Sequence, residues 1–132
     1  MKKILSICIV VLMPMFAYAW KGEAIAKAEV IGGNNGGGTV FVNQSTSSVG
    51  ATFVVRGAQA SASYNSGILG FGEIGSKENT FYFHAKANDG YVFAGWYENA
   101  EGTGSANGAN PMKQTLVIEN KNGVTKTYYA KF

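Results

Sequence analysis

An all-β fold, either a small antiparallel sheet or a sandwich built of hairpins with little helix, is the fold class that this sequence predicts. Apolar and polar residues alternate with period two in several short segments, which is the pattern of half-buried strands. Glycine- and asparagine-rich turn signals separate these segments, and no segment sustains the three-to-four-residue apolar period of a helix. The alternative is a β-grasp-like α+β fold. The alanines between Trp20 and Ile31 would also suit a helix.

The first 19 residues have the three parts of a secretory signal peptide. Lys2 and Lys3 form a basic start, Ile4 to Phe16 is apolar, and Ala17-Tyr18-Ala19 is a small-x-small cleavage site. We expect residues 20–132 to be exported to the periplasm, the outer surface or the medium as a single β-rich domain. We do not expect membrane insertion, because the apolar run is short for a spanning helix.

Cleavage changes the charge and the available chemistry. It removes two lysines, so the formal net charge of +3 falls to +1, and it removes Cys8, the one cysteine. The mature chain would therefore have no disulfide and no thiolate chemistry. Because no basic patch remains, we expect no nucleic-acid partner.

Strands are predicted along most of the mature chain. Trp20 to Ile31 would place small residues on one face and form a hairpin with the next strand across the glycine-rich segment Gly32 to Gly38. The apolar residues of Ser66 to Gly75 should pack on the core, and Asn99 to Pro111 should be a mobile loop. Further strands are expected at Thr39–Val42, Ala51–Arg56, Gln59–Asn65, Thr115–Glu119 and, after an Asn120–Gly123 turn, Val124–Phe132.

The most regular alternation lies in Thr80 to Ala87. Asn88-Asp89-Gly90 follows as a tight turn, since Asp and Gly tolerate positive φ. We therefore predict a hairpin whose second strand begins at Tyr91. Trp96 has the wrong parity for the apolar face of that strand, so a bulge at Gly95 should turn the indole towards the core.

Two aromatic motifs lie in the last part of the chain, Gly90-Tyr91-x-Phe93-x-Gly95-Trp96-Tyr97 and Tyr128-Tyr129-Ala130-Lys131-Phe132. Together they resemble the Listeria–Bacteroides repeat, which is related to the internalin B-repeat modules of bacterial surface proteins. The resemblance covers about Asn79 to Phe132 and only one copy. It implies an extracellular, non-enzymatic module with these residues as its structural motif: Gly90, Tyr91, Phe93, Gly95, Trp96, Tyr128, Ala130 and Phe132.

The inventory of reactive residues is small. His84 is the one histidine and Asp89 the one aspartate. Asp89 has a sufficient structural reason as a turn former, and His84 alternates outward as a solvated strand residue would. The glutamates are dispersed and show no metal-ligand spacing. We therefore predict no catalytic, cofactor-binding or metal-binding residues.

Aromatic residues are the richest inventory, with 8 Phe, 7 Tyr and 2 Trp. Tyr82, Tyr97 and Tyr129 are candidates for an exposed surface, where aromatic rings serve protein or glycan contacts; the alternative is cross-strand pairing within the sheet. These observations predict a secreted, non-catalytic surface or envelope interaction module of the adhesin type.

Two other functions remain open. A small outer-membrane β-barrel would explain the alternating aromatic residues of the last strand, although spanning strands need about 9–11 residues and the others are shorter. A secreted enzyme inhibitor would present an exposed loop.

Overall fold

The computed structural model describes residues 21–65, 76–119 and 123–132. The predicted signal peptide, the packing of Ser66 to Gly75 and most of the Asn120 to Gly123 turn lie outside these ranges. The described ranges contain seven strands and one short 3-10 turn (Gly33–Asn35) but no α-helix, so the all-β prediction is confirmed over the β-grasp-like alternative. The strands are β1 (Lys21–Val30), β2 (Gly38–Asn43), β3 (Ala58–Asn65), β4 (Ser76–Ala87), β5 (Gly95–Tyr97), β6 (Met112–Glu119) and β7 (Val124–Lys131).

The strands form two sheets. Sheet I has the order β3-β1-β7-β5 and sheet II the order β2-β4-β6. All pairings are antiparallel except that of β1 with β7, which is parallel. Odd-numbered strands lie in sheet I and even-numbered strands in sheet II. Each described strand is therefore followed by one in the opposite sheet, and no two consecutive strands among them pair.

Both predicted hairpins are wrong in their pairing. The strand before Gly32 to Gly38 and the strand after it belong to different sheets, and so do the strands on either side of the Asn88 to Gly90 turn. The turn residues do reverse the direction of the chain. The strand that follows each turn lies across the core in the opposite sheet and does not pair with the strand before the turn. After a turn, the next strand can either pair with the preceding strand in the same sheet or pack over its buried face from the opposite sheet. Local turn residues do not distinguish these two arrangements.

The strand predicted at Ala51 to Arg56 is also wrong. Only Val54 pairs with a strand, through backbone bonds of 2.8 and 2.9 Å with Val40 of β2. The next carbonyl, that of Val55, accepts a 3.1 Å bond from Val30 of β1. Because successive residues bond to different sheets, this segment connects the two sheets at one end of the sandwich.

The core lies between small residues on sheet I and large residues on sheet II. Ala24, Ala26 and Ala28 of β1 are fully buried, which confirms the predicted small-residue face. The large buried side chains of sheet II fill the space that these alanines leave, so the two inner faces interlock. They are Val40, Phe81, Phe83, Met112 and Ile118.

A chain of aromatic rings extends this core beneath β5. Trp96 is 1% exposed, which confirms that it turns inward. Its ring centroid lies 5.7 Å from that of Phe83 and 5.6 Å from that of Phe93, both edge-to-face. Phe83 continues the contact to Tyr128 at 5.0 Å, and Phe93 to Phe132 at 5.7 Å. These rings hold the short strand β5 against the rest of the sandwich.

Gly95 produces the inward turn of Trp96, although not as a bulge in a hairpin. It begins β5 with a φ of 144°, and a Cβ there would lie 2.7 Å from the Cβ of Ala106. Tyr91 differs from its predicted place on the apolar face, because it is 50% exposed and its ring lies against Gly37. The chain between these two residues forms no strand.

The loop of Asn99 to Pro111 is attached to both sheets by asparagines. The Asn99 side chain bonds the backbone of Thr103, and the backbone of Asn107 pairs with Trp96 of sheet I. Asn110 bonds the backbone of Ala85 in sheet II through both atoms of its amide, at 2.9 and 2.7 Å. The asparagines, which in the sequence suggested a mobile loop, are thus what attaches it.

Candidate functional site

The outer face of sheet I carries a row of three partly exposed side chains. Tyr129 of β7 lies opposite Tyr97 of the antiparallel strand β5 and beside Glu29 of the parallel strand β1. We call Glu29, Tyr129 and Tyr97 the tyrosine row. Side chains directly opposite on one face of a sheet are close enough to act together. The two predicted surface tyrosines Tyr97 and Tyr129 are therefore neighbours.

Positive charge lies next to this row. The Nζ atom of Lys131 stands 5.6 Å from the centroid of the Tyr97 ring, within reach of a cation–π interaction. Two residues before Glu29 on the same face, exposed Lys27 pairs with Thr127 of β7. The tyrosine row is thus bordered by lysines on two sides.

Two open depressions adjoin the tyrosine row, and Glu29 and Tyr129 line both. The first, of about 290 Å³, extends along β1 towards β3, and the second, of about 540 Å³, extends past the end of the sheet. Because they share Glu29 and Tyr129, we call the two depressions together the groove. Its other lining side chains include Lys27, Gln59 and Thr127 on one side and Ile31, Arg56 and Ala100 on the other.

The second depression exists because β3 is shorter than its neighbour. The pairing of β3 with β1 ends at Ala58 opposite Ala28, so the last residues of β1 have no β3 residue beside them. Arg56, just before β3, fills part of this space and lies over Gly33. A Cβ at Gly33 would stand 2.6 Å from Nη2 of Arg56, and its φ of 59° also favours glycine. Gly33 therefore leaves room for the guanidinium.

The charges of the groove are not neutralised by one another. Within the described ranges, Lys126 and Glu98 form the single ion pair, at 2.5 Å, and it lies elsewhere. Arg56 and Glu29 line the same depression, yet neither has an ion-pair partner among the described residues. Five N–H donors and two carboxylate oxygens thus remain available to a ligand.

The third predicted surface residue lies on the other side of the molecule. Tyr82 is on β4 of sheet II, between Asn43 of β2 and Lys113 of β6. It is half-buried on the outer face of that sheet. The three predicted tyrosines therefore do not make one surface, and Tyr82 becomes a matched control for the other two.

His84 is where the sequence prediction of a solvated residue is wrong. It is 4% exposed, because the chain after β2 folds back over it. Its Nε2 atom lies 2.8 Å from Oδ1 of Asn43 and 3.0 Å from the carbonyl oxygen of Ser45. The carbonyl can only accept, so Nε2 carries the proton. Burial lowers the pKa of His84, and the hydrogen bond that Nε2 donates to the Ser45 carbonyl opposes that shift less strongly.

The covering loop on sheet II, residues 43–50, is stabilised by its own polar side chains. Asn43 donates to the carbonyl of Ser47 at 2.8 Å and accepts from the amide of Ser45 at 3.2 Å. Beyond the loop, Phe53 packs on Phe41 with a centroid distance of 5.7 Å, and Phe41 lies 5.8 Å from the His84 ring. The histidine is held among these groups.

The motif residues of the C-terminal part divide into two groups. Phe93, Trp96, Tyr128 and Phe132 join the ring chain in or beside the core, and Ala130 is fully buried beside Trp96 in sheet I. Gly90 and Tyr91 lie at the surface near the turn. The motif thus describes how β5 and β7 are packed, while the residues that line the groove come from other segments.

Sequence reasoning missed three residues of the groove: Glu29, Gly33 and Arg56. Glu29 joins the tyrosine row only through the parallel pairing of β1 with β7, and Arg56 meets Gly33 across 22 intervening residues. The one signal in the sequence was that Arg56 is the single arginine of the chain. This does not predict which residues Arg56 contacts.

The described residues include no group of three His, Cys, Asp or Glu side chains placed to hold a metal ion. No helix in the described parts of the chain is long and apolar enough to cross a membrane. A scan against protein-family models finds no match, and neither do searches of curated proteins and of solved structures.

Proposed function

We propose that the chain is an exported, non-catalytic interaction module of the bacterial surface or envelope, of the adhesin type, whose partner is a protein or a glycan. The observation that carries this proposal is the adjacent pair Tyr97 and Tyr129 on the open face of sheet I, with a depression on either side of Tyr129. The predicted signal peptide and the resemblance to the internalin B-repeat modules support the exported location.

The rigidity of the face supports a role in binding. Tyr97 belongs to a strand that is fixed from below by Trp96 and from the side by a 2.7 Å bond between the amide of Ala94 and the carbonyl of Lys131. A tyrosine has only two rotatable side-chain bonds, so on such a fixed strand it offers ring and hydroxyl to a partner with little loss of entropy. Aromatic side chains are also enriched in protein interfaces.

The position of the one histidine supports the non-catalytic part of the proposal. Its Nε2 proton is directed to Asn43 and Ser45 within the covering loop. A general base needs a free nitrogen within hydrogen-bond reach of a substrate proton. Here the ring is buried under a loop on the sheet opposite to the groove, which fits a structural role.

Binding of residues 20–132 to envelope fractions, host proteins and glycan arrays tests the proposal. We expect Tyr129→Ala and Tyr97→Ala each to weaken binding about tenfold or more, as loss of an aromatic anchor does. Tyr82→Ala is the matched control, a half-buried tyrosine on the outer face of the other sheet, and should bind like the unchanged protein. Equal losses from all three variants, or no partner in any fraction, would reject the tyrosine row as a binding surface.

A further inference from the structure

We infer that the groove across the tyrosine row binds an acidic saccharide, an oligosaccharide with carboxylate-bearing sugar rings. This inference rests on the proposed function and narrows its partner from protein or glycan to one chemical class.

The shape of the groove suits a linear chain of small rings. It runs along β1 from Lys27 to Ile31, about 13 Å at the usual rise of a strand, and stays open to solvent on its outer side. Tyr129 lines it near the middle, where the two depressions meet. A pyranose ring presents a face of C–H groups that packs on an aromatic ring, and the depressions on either side leave room for the adjacent sugars.

The charged side chains provide the polar half of the recognition. The planar guanidinium of Arg56 can bind a carboxylate through two parallel N–H···O bonds. Glu29, on the same depression, can accept hydrogen bonds from sugar hydroxyls. Because neither has an ion-pair partner among the described residues, a ligand does not need to break an internal salt bridge first.

The balance of charge favours an acidic ligand over a neutral one. Lys27 and Arg56 line the groove against the single carboxylate of Glu29, and Lys131 stands over the adjacent Tyr97 ring. The groove therefore has excess positive charge although the mature chain is nearly neutral. A carboxylate-bearing saccharide complements this excess, which also accelerates its capture.

A protein partner is less well matched to this surface. Protein interfaces depend on a fully desolvated centre with large apolar or aromatic anchors. The most exposed large apolar residues in the described ranges lie elsewhere, on the covering loop, after β4 and on β6, and none lines the groove. They are Val49, Tyr91, Val92 and Val117.

Calorimetric titration with a panel of uronate- and sialate-containing oligosaccharides, each paired with its carboxyl-reduced neutral form, tests the inference. At least one acidic member should bind at least tenfold more tightly than its neutral form. Arg56→Ala should remove that preference, and Tyr129→Ala should weaken both forms. Lys113→Ala, which removes a cation from the exposed surface of sheet II, is the control and should change neither.

The possible outcomes separate this inference from the proposed function. Tyrosine-dependent binding to a protein, with no binding to the panel, would overturn the acidic saccharide and leave the interaction module standing. Equal binding of acidic and neutral forms would overturn the role of Arg56. If an aspartate tetrapeptide competes as well as the saccharide does, the groove is a general anion site and the inference is rejected.

Discussion

The two outer faces of the sandwich have similar sequences and opposite surroundings. On β4 the outward residues are Tyr82, His84 and Lys86, and on β7 they are Thr127, Tyr129 and Lys131. Each lysine stands over an aromatic ring, Lys86 over Phe53 at 6.0 Å and Lys131 over Tyr97 at 5.6 Å. The central aromatic residue is buried in the first case and partly exposed in the second.

The difference in burial between His84 and Tyr129 comes from the position of the ring that each lysine contacts. Tyr97 belongs to the strand beside β7, so its ring extends the face sideways and leaves it open. Phe53 belongs to the segment after β2, which also covers His84 with the Asn43 to Ser47 turn. An outward strand position is therefore exposed or covered depending on the neighbouring segment.

Removing the support beneath the open face should have the largest effect on stability. Trp96→Ala should lower the free energy of unfolding by about 3–5 kcal/mol, because it empties a fully buried site between Phe83 and Phe93. Denaturant unfolding measures the change. Trp96→Phe is the control and should cost less, since the indole N–H has no hydrogen-bond partner to lose among the described residues. An unchanged midpoint for Trp96→Ala would show that β5 is not held by this ring.

Removing the histidine under the covering loop should have the next largest effect. His84→Ala should cost about 2–3 kcal/mol at pH 7.5, because it leaves the carbonyl of Ser45 and the amide oxygen of Asn43 without their donor and opens a void. Tyr82→Ala on the same strand, where the side chain is only half-buried, should cost less.

The pH dependence of stability, measured for the unchanged protein and for His84→Ala, tests the difference between the two faces further. Burial holds the pKa of His84 below its ordinary value of 6.5, so the unfolded chain takes up the proton first. The stabilisation contributed by neutral His84 should therefore be complete above pH 6.5. It should be lost as the pH falls from there towards the folded-state pKa. The difference in free energy of unfolding between the unchanged protein and His84→Ala should be smaller at pH 5 than at pH 7.5. A difference that is larger at pH 5 would mean that His84 is charged in the folded protein.

The smallest effect concerns the end of the groove. Gly33→Ala should cost about 1 kcal/mol for a positive φ, plus the displacement of Arg56. Gly104→Ala is the matched control, because it has a φ of 87° and open space around its Cβ, so it measures the backbone cost alone. A larger loss at Gly33 than at Gly104 would report the contact with Arg56. Equal losses would show that the close approach of Arg56 to Gly33 contributes nothing to stability.

The sequence predicted the presence of the strands better than their partners. Alternation located β4 and β7, because burial of every second residue is a local property of each strand. It could not show that β7 lies beside β1, since that pairing joins residues about one hundred positions apart. The turn before Tyr91 reversed the chain as expected, but nothing local specifies whether the next strand extends a sheet or covers it.

The candidate site was predictable only in part, for the same reason. Parity placed Tyr129 on an outward face, and the bulge predicted at Gly95 placed Tyr97 there. Their direct pairing depends on the register of β5 and β7, and the position of Arg56 depends on an approach to Gly33 that leaves no trace in either segment. His84 shows the converse, since the loop that covers it lies 39 to 41 residues earlier in the chain.

The strict alternation of the strands between the two sheets has a kinetic consequence. Among the described strands none bonds to the next one, so no two neighbouring strands fold as a ribbon, and every pairing waits for a strand made later. Strand β7 enters the middle of sheet I beside β1, which lies far away in the sequence, so that sheet is incomplete until β7 is made. Non-local pairing of this kind slows folding.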